Sequence, residues 1–286
     1  MYYEKIAMVI GACALAAAVS GASHRNWNME AREALNHVFT GDKTLNVDNV
    51  NGLIQVIGDG GTTIRIEGEK IIRAADQQQL DRAKREVVLD INEKNGIAQL
   101  YVNGPFRENS HASDNHGFHE NNDREYEVTY NFTIHVPRQT DLELRSVNGE
   151  VKTEQTNGKF NVHGVNGGVT MTSIAGSGEL RTVNGPIVVS FRESPKAAAS
   201  FNTVNGRIDA TFPASLSADM SFKTLNGETY TDFDVTSLAS PPGTAEKKDG
   251  RFVYRRNRIT SVRAGSGGPQ LSFETVNGQI RIQKAH

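Results

Sequence analysis

The sequence predicts an all-β fold: a single-chain parallel β-helix or solenoid, right-handed, preceded by a less regular β region and one short helix. Three observations carry this. The hexapeptide Thr-Val-Asn-Gly-x-Ile, or a close variant, recurs along the chain. Between recurrences, apolar and polar residues alternate with period two, the pattern of half-buried strands. Glycine is frequent at 27 residues and proline scarce at 8, which suits a protein of many tight turns better than a disordered one.

The motif pairs are Asn148-Gly149, Asn166-Gly167, Asn184-Gly185, Asn205-Gly206, Asn226-Gly227 and Asn277-Gly278, with an earlier relative at Asn51-Gly52. Asparagine-to-asparagine steps from 148 to 226 are 18, 18, 21 and 21 residues. A steady period near 20 residues is the signature of a stacked repeat. The step from 226 to 277 is 51 residues and must hold an insertion. Asn-Gly is also a favoured hairpin turn, so an antiparallel meander is the competing architecture. One motif per period, flanked by the same residue types, favours stacked coils. Stacking places Asn166 over Asn148, Asn184 over Asn166 and so on at about 4.8 Å per layer, where amide side chains can hydrogen-bond up a column. Asparagine tolerates the left-handed region and glycine accepts positive φ, which also suits a corner.

Upstream, the chain from 45 to 68 alternates as two or three strands around Gly58-Asp59-Gly60-Gly61. Residues 74–87 lack Gly and Pro and set Leu80, Ala83 and Val87 on one face, an amphipathic helix. A hairpin is expected around Asn95-Gly96, and a polar loop over 105–124. Tyr126, Val128, Tyr130, Phe132, Ile134 and Val136 share one face of the best single strand, ended by Pro137. Four segments follow: a signal peptide at 1–22, an N-terminal segment at 23–43, an irregular β region at 44–140, and coils at 141–286 with an insertion at 236–263. The charged C-terminal tail is expected to blunt the exposed edge of the last coil.

Residues 1–22 read as a secretory signal. Lys5 precedes an apolar run from Ile6 to Val19, and Ser20 and Ala22 stand at the positions a signal peptidase inspects. The one cysteine, Cys13, follows Ile10-Gly11-Ala12 in a lipobox-like setting, but the sequence after it stays apolar, against lipidation. Cleavage after Ala22 leaves no cysteine, hence no disulfide. The expected location is the periplasm, envelope or exterior, without a membrane span in the mature chain. A net charge of −2 gives no argument for nucleic acid.

Residues 45–61, the strand and turn from Tyr126 to Val151, the Thr-Val-Asn-Gly repeats and the ending from Gly265 to Ile282 resemble a bacterial family of exported β-strand-repeat proteins, the putative-adhesin family, a domain of unknown function. The resemblance spans roughly residues 44–284. It implies a β-helical fold and an envelope or surface location, and no defined reaction.

Two groups could carry chemistry. The loop with His111, Asp114, His116, His119, Glu120 and Asp123 has residue types that hold zinc, copper or nickel. It lacks the rigid supports and outer shell of a metal site, so no metal and no cofactor are predicted. Arg251, Arg255, Arg256 and Arg258 surround Phe252 and Tyr254 and could meet anionic surface ligands. Paired carboxylates do not recur along the repeats, and no nucleophile elbow or phosphate loop is present. The reading is therefore non-enzymatic: an envelope-associated or secreted adhesin-like scaffold that binds cell-surface glycans or envelope proteins. The alternatives are a polysaccharide-active lyase or hydrolase, and a self-assembling envelope scaffold.

Overall fold

The computed structural model describes residues 27–41, 43–107, 125–238, 244–248, 251–255 and 259–285. The segment 1–22 expected to be a signal, with Cys13, the residues His111, Asp114, His116, His119, Glu120 and Asp123, and Arg256 and Arg258 lie outside the described residues.

Among the described residues the chain is all-β with one helix. Its N-terminal part comprises β1 (Met29–Thr40), β2 (Thr44–Asn51), β3 (Ile54–Asp59), β4 (Thr63–Ala74), α1 (Gln77–Glu86), β5 (Val88–Lys94), β6 (Ile97–Asn103) and β7 (Tyr126–Pro137). The repeats supply β8 (Leu142–Asn148), β9 (Val151–Glu154), β10 (Phe160–Asn166), β11 (Val169–Ile174), β12 (Gly178–Arg181), β13 (Ile187–Phe191), β14 (Ala199–Asn205), β15 (Ile208–Phe212), β16 (Ala218–Asn226) and β17 (Thr229–Thr231). Then come β18 (Val235–Ser237), β19 (Thr244–Lys248), β20 (Arg251–Arg255), β21 (Thr260–Ala264), β22 (Gln270–Asn277) and β23 (Ile280–Lys284).

Two large mixed sheets face each other, neither closed into a barrel. One has ten strands in the order β1-β4-β7-β3-β9-β11-β13-β15-β23-β17. The other has eleven, β18-β21-β16-β22-β14-β12-β10-β8-β2-β6-β5. A hairpin of β19 and β20 stands apart from both. Strands of successive repeats pair in parallel, β8 with β10, β10 with β12 and β12 with β14 in one sheet. The other sheet does the same through β9, β11, β13 and β15. That pairing excludes the antiparallel meander for this segment. Antiparallel pairs occur at the sheet ends, among β1, β4 and β7, between β5 and β6, and around β21.

Alternation explains the interior. Inward positions of both sheets form one apolar core, with Val162, Leu180, Phe201, Ile187, Ile208 and Ile280 all sealed from solvent. Phe273 stacks on Phe201 at 5.0 Å and on Phe222 at 5.6 Å, so the wider repeats are filled by an aromatic column. The helix begins where Asp76 caps the Gln79 amide at 2.8 Å, carries Lys84 and Arg85 in its last turn, and buries Leu80 and Ala83. Its end is held by the buried Lys70 ammonium, which donates to the Val87 carbonyl at 2.7 Å.

The structure departs from the expected order at the end of the stack. Strands β22 and β23 insert between the repeat of β14/β15 and that of β16/β17. The C-terminal tail therefore lies inside the ten-stranded sheet and does not cover its edge. Backbone pairing depends on the motif's hydrogen-bond pattern and not on its place in the chain, so a later repeat can take an inner place.

Candidate functional site

Each motif asparagine ends a strand of the eleven-stranded sheet, or forms a bridge there, and the next strand of the ten-stranded sheet starts three residues on. The motif is thus the corner between the sheets, and each of its residues has a separate task. Threonine points inward: Thr182, Thr203 and Thr275 donate Oγ1 at 3.0 Å to the carbonyls of Gly167, Gly185 and Gly206 in the preceding layer. Valine points outward, leaving Val183 and Val204 exposed. Asparagine builds a ladder. Nδ2 of Asn148 donates to Oδ1 of Asn51, Asn166 to Asn148, Asn184 to Asn166 and Asn205 to Asn184, at 2.8–2.9 Å.

Glycine is required for space. A Cβ at Gly149, Gly167, Gly185, Gly206, Gly278 or Gly227 would overlap the glycine carbonyl of the adjacent layer. Of the seven corner glycines only Gly52 has positive φ, at 111°, and no corner asparagine does. The left-handed conformation expected for these corners is therefore not the reason for the sequence. Close approach of backbones is.

The same register aligns an outward polar surface. Five residues before each motif asparagine, the outward column of the eleven-stranded sheet runs Asn46, Glu143, Asn161, Glu179, Ser200, Ser272, Ser221, aligned strand to strand. An open groove of about 530 Å³ lies over it, lined by Glu143, Asn161, Glu179, Ser200 and Ser272 with Lys159 at one side. Asn46 donates to Glu143 at 2.8 Å, and Arg181 donates to Glu179 at 2.6 Å. Both groove glutamates are thus engaged by neighbours. The floor presents hydroxyl, amide and carboxylate groups at the strand spacing of about 4.8 Å, a regular array of donors and acceptors.

Two residues further along each strand runs a second column, Asp48, Arg145, His163, Arg181, Asn202, Glu274, Lys223. His163 is its third member, between the guanidinium-bearing Arg145 and Arg181. Burial first, then the charges of Arg181 and Arg145, hold its pKa below the usual histidine value, against the raising effect of Glu179. Among the described residues its buried Nε2 has no hydrogen-bond partner. At the first repeat, Arg107 bridges from the Asp48 carboxylate at 2.7 Å to the Tyr101 ring, 4.2 Å from its centroid.

The arginine patch is only partly placed. Arg251 and Arg255 are the two ends of β20, paired through the backbone with Lys248 and Thr244. Among the described residues no group of three or more His, Cys, Asp or Glu could hold a metal ion. No helix there is long and apolar enough to cross a membrane. The outward polar column was readable in the sequence, because it is a fixed offset from a motif already found.

No protein-family model matches this chain, and no curated protein matches it. Similar solved structures include a putative cell adhesion protein from Clostridium sporogenes, 11% identical, TM-score 0.43, covering 89% of this chain and 100% of that one. A putative adhesin from Bacteroides fragilis is 13% identical with TM-score 0.30, over 88% and 97% of the two chains. A putative lipid binding protein from Parabacteroides distasonis is 11% identical with TM-score 0.25, again over 88% and 97%. Two of these three neighbours are named for adhesion.

Proposed function

We propose that this chain is an exported, adhesin-like scaffold without catalytic activity, in which the repeats form a right-handed parallel β-solenoid that presents a polymer-binding face. The observation that carries the reading is the in-register column Glu143, Asn161, Glu179, Ser200 and Ser272 beneath an open groove. A repeating ligand with hydroxyl or amide groups can meet the same contact in layer after layer, which gains avidity without any single tight pocket. Surface glycans and envelope proteins both have this character. The cationic hairpin ends at Arg251 and Arg255 are a second contact for an anionic polymer. The periplasm, envelope or cell exterior is the proposed location.

The test is an array of glycans and envelope polymers probed with the purified chain, with product release followed for each hit. Saturable binding without turnover, weakened by Asn161→Ala and Ser200→Ala, supports the reading. Turnover would replace it by a polysaccharide-active enzyme, and Glu143→Gln and Glu179→Gln would then be the first variants to assay. Binding unaffected by any of these changes would move the ligand off this face.

A further inference from the structure

We infer that the outer end of the repeat stack, from Leu225 to Thr231, is an acceptor site for one more extended strand of Thr-x-Asn-Gly-x-Ile type, supplied by another polypeptide.

The argument is one of matched hydrogen bonds. Between neighbouring repeats three contacts recur at the corner. The glycine N–H of one layer donates to the asparagine carbonyl of the next, as from Gly206 to Asn277 and from Gly278 to Asn226, both at 3.1 Å. The asparagine Nδ2 of the outer layer donates back to Oδ1 of the inner one, as from Asn226 to Asn277 at 2.8 Å. The threonine Oγ1 of the outer layer donates to the inner glycine carbonyl, as from Thr224 to Gly278 at 3.1 Å. One step further on, the Ile280 N–H donates to the Glu228 carbonyl at 3.0 Å.

At the last layer the inner half of each contact is in place without the outer half. The Gly227 N–H and C=O and Asn226 Oδ1 have no partner among the described residues. Strand β17 is the terminal strand of its sheet, so the Thr229 N–H faces outward as well. In the other sheet the pairs of β21 with β16 run from Ala218 to Phe222, and Leu225 and Asn226 at the end of β16 are exposed. A strand entering there would find the same four contacts that seat β22 and β23. Those two strands show that this register seats a segment from a non-adjacent part of the chain.

The opposite end of the stack is treated differently. Asn51 Nδ2 is taken by the Val128 carbonyl, and the Leu53 N–H by Asn131 Oδ1, so the ladder is sealed at its start. The edge strands there carry charge, with Glu30, Arg32 and Glu33 on β1 and Asp90, Glu93 and Lys94 on β5, the usual protection of a free edge. At the outer end Leu225 is 54% exposed, Tyr230 45% and Val235 37%. Between Leu225 and Thr231 the one charge is Glu228, which accepts from the Tyr230 hydroxyl, and this exposed end suits strand addition, in which backbone bonds bind and side chains select. Because the ladder start is sealed, a second intact copy cannot continue the stack head to tail.

The experiment titrates the full chain with a labelled peptide of residues 274–283 (ETVNGQIRIQ), followed by fluorescence anisotropy. We expect saturable binding that weakens at least about tenfold when the peptide carries Asn277→Ala, a change that leaves the protein untouched. Thr229→Pro in the protein, which removes an outward N–H, should abolish it. Equal binding of both peptides, or none up to about 1 mM, overturns the inference. So does a peptide-independent dimer in sedimentation velocity that Thr229→Pro disperses, since the edge then belongs to a second copy.

Discussion

Asn277 donates its Nδ2 to Oδ1 of Asn205 at 2.7 Å, across 72 residues of sequence. Asn226, only 21 residues from Asn205, sits one layer further out and donates to Asn277 instead. Interior asparagines therefore make two ladder bonds, and the terminal Asn226 makes one. Asn277→Ala should lower stability by about 0.5–1.5 kcal/mol, the net worth of hydrogen bonds whose partners water can reach, and Asn226→Ala by less. Urea unfolding of the two variants side by side checks this. Equal losses would mean that the ladder bonds contribute little beyond the backbone pairs beneath them.

The corner glycines give a sharper contrast. A Cβ at Gly206 would overlap the Gly185 carbonyl, whereas a Cβ at Gly60 meets nothing within 4 Å. Gly206→Ala should cost about 1–3 kcal/mol from overpacking, and Gly60→Ala should stay within about 0.5 kcal/mol. Melting temperatures of the pair decide between the steric account and a general preference for flexible turns, which would make both equally harmful.

The aromatic column is the heaviest single element of the late repeats. Phe273 is 1% exposed and lies between Phe201 and Phe222. Phe273→Ala should cost about 3–5 kcal/mol. Because β22 separates β14 from β16, loosening it should free the outermost strands first. Amide exchange would then accelerate in β16 and β17 before it does in β8 and β10. Uniform acceleration would show that the stack unfolds as one unit.

Much of this was legible because the motif sets the register of everything near it. The strand face of Tyr126 to Val136 and the helix face of Leu80, Ala83 and Val87 follow from periodicity alone, and all are buried. The order of the last layers was not legible. Asn226 and Asn277 offer a neighbour the same bonds, so sequence distance was the only guide, and β21 pairing with the outer side of β16 overrides it. The reason for the glycines was also hidden. Positive φ is a local property that a sequence suggests, but the approach of two backbones from adjacent layers is visible only in three dimensions. The outward column beneath the groove could have been found by counting five residues back from each asparagine.

His163 makes stability depend on pH in a predictable direction. Its folded-state pKa lies below the ordinary value of 6.5, first because it is buried, then because Arg181 and Arg145 flank it, with Glu179 opposing them. His37 is shifted the same way by burial, with Glu93 opposing. In the window between the lowered value and 6.5 the unfolded chain binds more protons than the folded one, so stability falls as pH falls. The loss is absent above pH 6.5 and complete below the folded-state value. Glu30 and Asp219, whose pKa values are lowered from 4.5 and 3.8, lose their contribution only at more acid pH, which keeps the two effects apart. Unfolding free energies at about pH 7.5 and about pH 5.5 should therefore differ in the native chain, and the difference should shrink in His163→Gln. An unchanged difference would assign the acid sensitivity to His37, and His37→Gln would then remove it.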